Sequence, residues 1–311
     1  MSSTASAPAK VILFGEHFVV YDVKAILCSI NRRVKVTTIP IDEKIIRIKS
    51  KIGQEDIKAE EETRPSFRPF AFIARKAIKE FNYEKGLEIT IDSDIPSGVG
   101  LGSSSACCVA AAASVFGLFS STTKEEILKI AIEAERTVFK NASGADSTVC
   151  TFGGIIEYDK KNGFNRLDIK PGFTLIVANS KQSHSTNTIV SNVGKFREKN
   201  PDAFLSLCKK ESDLVNRVKT SLRDGDLGSL GKDMSENQRY LEEIGVSNER
   251  LRAMIDITDR TGHGSKITGA GGGGCIISLV DEENADKTIR NLQDGGYDCF
   301  AAKIDYTGLN V

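Results

Sequence analysis

A glycine-rich loop, Gly98-Val-Gly-Leu-Gly-Ser-Ser-Ser-Ala106, is the part of the chain best suited to binding an anion. It follows a strand-like alternation over residues 87–92 and leads directly into an apolar helical segment, Ala106 to Phe119. Glycines let successive backbone N–H groups turn toward one point, and the start of a helix adds a partial positive charge. The sequence therefore predicts a cradle for a di- or triphosphate, with a simple tight strand-to-helix turn as the alternative.

The residues after this loop argue against two common nucleotide-binding motifs. A Walker A loop has a lysine after its last glycine, and this chain has Ser103 there. A dinucleotide-binding fingerprint has an acidic residue about twenty positions further on, at the end of a second strand. This chain instead has Thr122-Thr123-Lys124 at that distance, which is typical of a helix start.

A second loop, Lys266-Ile-Thr-Gly-Ala-Gly-Gly-Gly-Gly-Cys275, has five glycines in six positions. Ordering such a segment costs much chain entropy, so it is typical of places where a ligand or another backbone comes close. A flexible hairpin is the alternative interpretation. Two glycine-rich loops so far apart in the chain indicate a nucleotide held between distant segments.

One carboxylate is predicted to point toward the protein interior. On the helix that starts at Lys124, Glu135 lies about 40° around the axis from Ala131, which belongs to the apolar stripe. Glu133 lies on the opposite, solvent-facing side. An inward carboxylate needs a partner, and Mg²⁺ is suitable because it binds one or two carboxylates together with phosphate oxygens. An internal salt bridge to Arg136 or Lys140 is the alternative.

Other ionisable residues stand where a structural role alone explains them poorly. Lys10 and the pair Glu16-His17 flank or interrupt an otherwise apolar run, and buried ionisable groups at a strand end are candidates for a functional site. The alternative for His17 is an ordinary core histidine. Asp146 follows Gly144, which allows a sharp turn, so Asp146 is predicted either to cap the next helix or to serve chemistry.

Length and composition exclude several classes of protein. A chain of 311 residues can bury a large core and predicts two domains. Lys+Arg and Asp+Glu both number 42, so no basic excess favours nucleic acid or anionic lipid. The start lacks the pattern of a signal peptide, and the longest apolar stretch is shorter than a membrane span. Seven cysteines without CxxC spacing and three histidines predict a reduced, cytoplasmic protein without structural zinc.

Hydrophobic periodicity predicts a mixture of strands and helices, and hence an α+β fold with antiparallel sheets. The predicted strands cover residues 11–21, 34–39, 45–48, 87–91, 153–158, 173–178, 275–280 and 298–304. The predicted helices cover residues 69–81, 106–119, 124–140, 200–223, 226–242, 247–260 and 283–294.

The chain resembles the GHMP kinase family through three motifs that occur in the family's order. Pro8-Ala-Lys-Val-Ile-Leu-Phe-Gly-Glu-His17 resembles the first motif, and Ile95-Pro-Ser-Gly-Val-Gly-Leu-Gly-Ser-Ser-Ser105 resembles the phosphate loop. Thr268-Gly-Ala-Gly-Gly-Gly-Gly-Cys275 resembles the third motif. The branch of the family that phosphorylates mevalonate is favoured by Gly15-Glu-His17, Glu135-Arg136, Ser143-Gly-Ala-Asp-Ser147, Thr151-Phe-Gly-Gly154 and Ser185-Thr186.

This resemblance implies a role for each matching position. Asp146 is implied to be the catalytic carboxylate, and Lys10 the lysine paired with it. Ser104 and Glu135 are the implied pair that holds Mg²⁺. The residues implied on the nucleotide side are Asn31, Gly98, Gly100, Leu101, Gly102, Ser103, Ser104 and Ser105. The residues implied on the mevalonate side are Glu16, His17, Ser185, Thr186 and Gly271.

The resemblance also implies the architecture and the reaction. The expected fold is α+β with two domains: residues 1–168, which resemble ribosomal protein S5 domain 2 and bind ATP, and residues 169–311, which are ferredoxin-like. The expected reaction is ATP- and Mg²⁺-dependent phosphorylation of the 5-hydroxyl of (R)-mevalonate, a step of isoprenoid biosynthesis, and a homodimer is compatible with it. The alternatives are a kinase for phosphomevalonate or a sugar, and a sensor that binds ligand without catalysis.

Overall fold

The computed structural model describes residues 2–58, 61–96, 98–140, 142–170, 172–182 and 185–311. Ser97 of the glycine-rich loop, Asn141 before the Asp146 segment, and His184 lie outside these residues. Within the described ranges the chain forms eleven β-strands and nine α-helices. None of these helices combines the length and the apolar character needed to cross a lipid bilayer.

The first sheet has seven strands. They are β1 (Ser3–Phe14), β2 (Ala25–Ile41), β3 (Ile46–Ser50), β4 (Gly53–Ile57), β5 (Gly86–Ser93), β6 (Ile155–Asp159) and β7 (Gly163–Leu167). The strand order is β4-β3-β5-β2-β6-β7, and β1 pairs with β2 outside this path. Strands β3 and β5 run parallel, so the prediction of a purely antiparallel sheet is wrong here. A hairpin and a helix connect the two strands, which gives the chain enough length for a parallel crossover.

Four helices accompany this sheet: α1 (Arg68–Glu80), α2 (Ser103–Phe116), α3 (Lys124–Arg136) and α4 (Ala145–Phe152). Helix α2 contacts β1, β2 and the other three helices. Its residues from Ser105 to Phe116 are almost all buried, as expected for a helix that is apolar on every side. The prediction of a buried core helix after the glycine loop is therefore confirmed.

The second sheet has four antiparallel strands in the order β11-β8-β10-β9. They are β8 (Thr174–Asn179), β9 (Gly264–Thr268), β10 (Cys275–Val280) and β11 (Asp298–Ala302). The remaining helices are α5 (Thr186–Lys199), α6 (Pro201–Asp224), α7 (Leu227–Glu243), α8 (Glu249–Thr258) and α9 (Glu282–Asp294). This strand order is that of a ferredoxin-like β-α-β-β-α-β unit, here with four helices between its first two strands.

The first strand differs from its predicted range. Strand β1 ends at Phe14 because Gly15 and His17 both have positive φ, at 95° and 63°, and turn the chain. Residues 18–21 then form a 3₁₀ turn instead of continuing the strand. The turn brings Glu16 and His17 away from the strand ladder and toward the second sheet.

The segment after β11 returns to the first sheet. Ile304 pairs with Ile30, and Asn310 pairs with Ser6, each as an isolated antiparallel bridge. The Asp305 carboxylate is ion-paired with a guanidinium nitrogen of Arg33. Residues 304–310 therefore pack on the sheet built by the first half of the chain.

Candidate active site

The two glycine-rich loops lie against each other. A Cβ atom added to Gly100 would lie 3.4 Å from the Thr268 carbonyl oxygen and 3.8 Å from Gly269 Cα. Since β1 and β9 also lie in contact, the first loop is held between the end of the second sheet and the strand that carries the first motif. The structure thus brings together two segments that are far apart in the sequence.

The side chain of Lys10 crosses the phosphate-loop segment at Gly102. A Cβ atom at residue 102 would lie 2.6 Å from Lys10 Cγ, so any larger residue would displace the lysine. The backbone N–H of Lys10 donates to the Leu101 carbonyl at 3.0 Å, which fixes the loop on β1. Gly102 is the N-cap residue of α2 and offers no side-chain cap, so the first amides of that helix are open to an anion.

Lys10 and Asp146 form an ion pair beside this loop. The distance from Lys10 Nζ to Asp146 Oδ2 is 3.1 Å, and the two side chains are 4% and 38% exposed. Asp146 lies in the first turn of α4, whose N-cap residue is Gly144, and no side chain caps the helix. The alternative interpretation of Asp146 as a helix cap is therefore wrong. A buried ammonium group instead holds a solvent-accessible carboxylate.

Glu135 points inward, as the helical periodicity predicts, and is 7% exposed. Its Oε1 accepts a hydrogen bond from Ser105 Oγ at 2.6 Å, and its Oε2 accepts one from Ser147 Oγ at 2.7 Å. Arg136 Nε donates to the Ala142 carbonyl at 3.4 Å, so the predicted salt-bridge alternative is not formed by this arginine. Burial raises the pKa of Glu135, while the two hydroxyl groups oppose that rise.

The residues around Glu135 fit a magnesium ion. One carboxylate and neighbouring hydroxyl groups supply the hard oxygen ligands that Mg²⁺ prefers, next to a loop suited to phosphate. The sequence predicts Ser104 as the partner of Glu135, but Ser105 is the serine whose hydroxyl contacts the carboxylate. Ser104 lies exposed in the first turn of α2, and its role as a ligand stays a prediction.

Glu16 lies in the interior of the protein and is 1% exposed. Its Oε1 accepts from Nζ of Lys266, and both side chains are 0% exposed. Burial raises the pKa of Glu16 and lowers that of Lys266, and their pairing opposes both shifts. The prediction that Glu16 lines the mevalonate pocket receives no support from this position. Lys266 is a residue that the sequence reasoning missed, since it marked only the start of a glycine-rich loop.

His17 joins the first motif to the second glycine loop. Its Nε2 lies 2.8 Å from the Ala270 carbonyl oxygen, and since a carbonyl only accepts, Nε2 is the nitrogen that carries the hydrogen. Burial lowers the pKa of His17, which favours this neutral imidazole. Nδ1 is then left as an acceptor for the hydroxyl or N–H group of a neighbour.

Two further buried polar residues come from helices α6 and α7. Asn237 Nδ2 donates to Glu211 Oε2 at 2.6 Å. Burial raises the pKa of Glu211 to about 7, and the nearby charge of Glu16 adds to the rise. The sequence reasoning missed both residues. Glu211 was detectable, because it interrupts the apolar stripe formed by Leu207, Leu214 and Val218.

Replacing Glu211 with Gln is expected to change how protein stability depends on pH. The native carboxyl keeps its proton up to about pH 7, while the unfolded chain loses it near pH 4.5, so the native state binds more protons in that interval. The free energy of unfolding therefore falls as pH rises from 4.5 to above 7, by about 3 kcal/mol for this group. Gln does not titrate, so the variant gains about that much relative to the parent between pH 4.5 and 8.

Urea unfolding of the parent and the variant at several pH values measures this difference. The exposed Glu198→Gln on α5 is the control and should follow the parent at every pH. Parallel stability curves for Glu211→Gln and the parent would contradict the raised pKa.

The other predicted residues contact their own chain. Asn31 Oδ1 accepts from the Lys303 N–H at 2.9 Å. Ser185 caps α5 by accepting from the Thr188 N–H at 3.4 Å, and Thr186 is exposed beside it. A Cβ atom on Gly271 would lie 2.4 Å from the Val246 carbonyl oxygen, so packing alone requires a glycine there. Ligand-binding roles for these four residues stay predictions.

Comparison with protein families finds two matching models along the chain. Residues 70–154 match the model described as the GHMP kinases N terminal domain. Residues 218–298 match the model described as GHMP kinases C terminal. The first match includes the glycine-rich loop, Glu135 and Asp146, and the second includes Lys266 and the second glycine-rich loop.

The curated proteins and the solved structures that match this chain include proteins of the same name, mevalonate kinase. A mevalonate kinase of Archaeoglobus fulgidus is 37% identical over 283 residues, which cover 90% of this chain and 93% of that protein. The crystal structure of the Methanococcus jannaschii mevalonate kinase matches with a TM-score of 0.87 at 25% identity, covering 98% of this chain and 99% of that one. The L. major mevalonate kinase in complex with R-mevalonate has the same fold, with a TM-score of 0.81 at 23% identity over 96% and 95% of the two chains.

Proposed function

Since this chain belongs to the GHMP kinase family, we propose that it is a mevalonate kinase that transfers the γ-phosphoryl group of ATP to the 5-hydroxyl of (R)-mevalonate. The product is 5-phosphomevalonate, an intermediate of isoprenoid biosynthesis. Curated relatives named mevalonate kinase match along 90% of the chain or more, so the similarity extends over both sheets and the site between them.

The Lys10–Asp146 pair is the observation that carries this proposal. In phosphoryl transfer a protein mainly positions groups and neutralises charge, and it needs a group that orients the attacking hydroxyl. Asp146 is exposed enough to accept the proton of the 5-hydroxyl, and its 3.1 Å contact with Lys10 fixes the position of its carboxylate group. The buried ammonium group of Lys10 then lies close enough to stabilise the attacking oxygen.

We assign phosphate binding to the loop and the helix start that follow β5. The amides of Gly98, Gly100, Leu101 and Gly102 and the first turn of α2, Ser103–Ser105, supply N–H donors for the phosphate oxygens of ATP. Glu135 and Ser104 would hold Mg²⁺, which when bound neutralises negative charge on the β- and γ-phosphates. Ser105 and Ser147 fix the orientation of the Glu135 carboxylate.

On the mevalonate side we assign the main polar contact to His17. Its neutral imidazole is fixed by Ala270, which leaves Nδ1 to accept a hydrogen bond from a substrate hydroxyl. Ser185, Thr186 and Gly271 belong to the same proposal on the basis of their match to the family motifs. Asn31 belongs to the nucleotide side on the same basis.

Changing His17 to Ala should raise the KM for mevalonate and leave the KM for ATP comparatively unaltered. Loss of one hydrogen bond to an uncharged substrate group typically costs about 0.5–1.5 kcal/mol, or roughly 2- to 13-fold in affinity. Initial rates measured while varying each substrate in turn give the two constants. A larger effect on ATP than on mevalonate would move His17 to the nucleotide side.

A turnover assay of the purified protein is the direct test of this function. ATP and Mg²⁺ are supplied with mevalonate, phosphomevalonate or galactose in parallel, and release of ADP is measured. We expect rapid turnover with mevalonate and little with the other two. Preference for another alcohol would indicate a different member of the family, and ATP binding without turnover would indicate a sensor.

Three further assignments are part of the proposal. We place the domain boundary between residues 168 and 169, in the segment that connects β7 to β8. A cytoplasmic location is supported by seven free cysteines, which are typical of reducing compartments. A homodimer is compatible with the family resemblance, and sedimentation velocity distinguishes it from a monomer.

A further inference from the structure

Three residues at alternate positions, from Lys266 to Ala270, each bind a residue of the first motif. The three contacts join Lys266 to Glu16, Thr268 to Ile12, and Ala270 to His17. Lys266 and Thr268 are alternate residues of β9, so their side chains point to the same side. Ala270 lies in the loop beyond Gly269, whose φ is 84°, and contacts His17 through its backbone carbonyl. We call Lys266, Thr268 and Ala270 the β9 clamp. It connects the second sheet to the segment that carries the proposed mevalonate contact.

The middle contact fixes the backbone. Thr268 Oγ1 accepts from the Ile12 N–H at 2.9 Å and donates to the Ile12 carbonyl at 3.1 Å. The Thr268 hydroxyl group therefore binds both backbone polar groups of Ile12, as a neighbouring strand would do. The two outer contacts, by contrast, hold side chains of the turn that follows β1.

That turn is strained and needs external support. His17 has φ of 63° and ψ of −46°, and non-glycine residues rarely adopt such a positive φ. Such conformations persist where surrounding contacts determine them, and they cluster at ligand-binding positions. The clamp supplies contacts on both residues of the turn, Glu16 and His17. A change in the Glu16–Lys266 pair should therefore shift the imidazole of His17.

Helices α6 and α7 add Glu211 and Asn237 to the buried polar cluster that contains Glu16 and Lys266. Within the described residues, three buried oxygens of this cluster have no hydrogen-bond partner: Glu16 Oε2, Glu211 Oε1 and Asn237 Oδ1. Of these, Asn237 Oδ1 can only accept a hydrogen bond, and Lys266 is the cation that donates directly to Glu16. Removing Lys266 would take away the cation that is hydrogen-bonded to the buried Glu16 carboxylate.

We propose that Glu16 and Lys266 are positioning residues that hold His17 in place for mevalonate, without touching the substrate themselves. This inference rests on the proposed function. It assigns Glu16 a role different from a direct pocket contact. A purely structural ion pair would affect stability alone, whereas a positioning pair also changes substrate affinity through His17.

The first test is Glu16→Gln, measured alone and in the His17→Ala background. The single change is expected to raise the KM for mevalonate about tenfold and to leave the KM for ATP within about twofold. Adding Glu16→Gln to His17→Ala should cause no further increase, because the residue through which Glu16 acts is gone. Multiplying effects would mean that Glu16 contacts mevalonate directly, and an unchanged KM in the single variant would reduce the pair to a structural role. Either result would overturn the proposal.

The second test is Lys266→Met with the double variant Glu16→Gln/Lys266→Met. Met fills a similar volume but leaves the Glu16 carboxylate unpaired, so the single change should raise the KM for mevalonate more than Glu16→Gln does. Neutralising both residues should recover part of that loss. No recovery would contradict coupling between the two side chains. If Lys266→Met does not fold, Glu16→Gln and its His17→Ala partner decide the question.

Matched controls separate this inference from the proposed function. Lys85→Met breaks an exposed ion pair with Asp42 and should leave both KM values unchanged. Urea unfolding of each variant reports stability separately from affinity. If the unmodified protein turns over another alcohol faster than mevalonate, the proposed function is contradicted. The same variants are then measured with that alcohol. The positioning role fails only if the variants leave the KM for the preferred alcohol unchanged or act independently of His17.

Discussion

Asp146→Asn is expected to abolish most turnover, lowering kcat by about 10²–10⁴-fold, while the protein stays folded and still binds ATP and mevalonate. This loss corresponds to about 3–5 kcal/mol of barrier. Asn keeps the shape of Asp but cannot take a proton from the substrate hydroxyl. Because Gly144 is the N-cap residue of α4 and Asp146 makes no capping bond, the substitution removes no helix cap.

Steady-state rates together with ATP and mevalonate binding measure this expectation. The exposed Asp92→Asn, which alters an ion pair with Lys51, is the matched control and should leave kcat unchanged. A fall in kcat of less than about tenfold for Asp146→Asn would be too small for a proton acceptor and would contradict its catalytic role.

Lys10→Met is expected to cause a loss comparable to Asp146→Asn. The double variant should be little worse than either single one, since residues that act as a unit lose their effect together. Lys10 is 4% exposed, so burial fixes its side chain beside Asp146 before substrate binds. The two residues are therefore expected to act together. Effects that multiply in the double variant would mean that the two residues act independently.

Glu135→Gln is expected to lower kcat/KM for Mg·ATP by about 10–100-fold and to raise the Mg²⁺ concentration needed for half-maximal rate. The substitution removes a formal charge and sets an amide NH₂ against one of the two serine hydroxyl groups that now donate to the carboxylate. Ser104→Ala should have a smaller effect in the same direction, because it removes a neutral ligand.

Titration of the rate with Mg²⁺ at fixed ATP measures the effect. Glu133→Gln is the matched control: it lies on the same helix, faces solvent and pairs with Lys76, and it should leave the titration unchanged. Near-normal activity of Glu135→Gln at limiting Mg²⁺ would contradict the metal assignment and leave Glu135 as a residue that only orders Ser105 and Ser147.

The elements that periodicity predicts well are those with a strong apolar pattern of their own. Strand β10 matches its predicted range, and α6 is displaced by only one residue at each end. Two of the missed elements have little internal pattern. Helix α5 buries only Val193, and the first half of β1 is built from small and polar residues. Strand β1 exists there because β2 pairs with it, from Ser3 opposite Thr38 onward, and such pairing is not visible locally.

The candidate site was predictable where one segment carries its own signal. The inward direction of Glu135 followed from helical geometry, and Lys10 and Asp146 were singled out by motif and then found in contact. The burial of Glu16 was not predictable. It depends on Lys266, which lies 250 positions away in sequence and reaches Glu16 only after both sheets have formed. Partners of buried charges are set by tertiary packing, which local patterns do not report.

The return of residues 304–310 to the first sheet has a consequence for biosynthesis. A ribosome releases a chain from its N-terminal end, and N-terminal domains generally fold as units while the rest is still being made. Here the bridge from Ser6 to Asn310 and the ion pair from Arg33 to Asp305 cannot form until every strand of the second sheet has emerged. The edge of the first sheet therefore stays incomplete until the second half of the chain has been made, and its closure is a late, long-range step of folding.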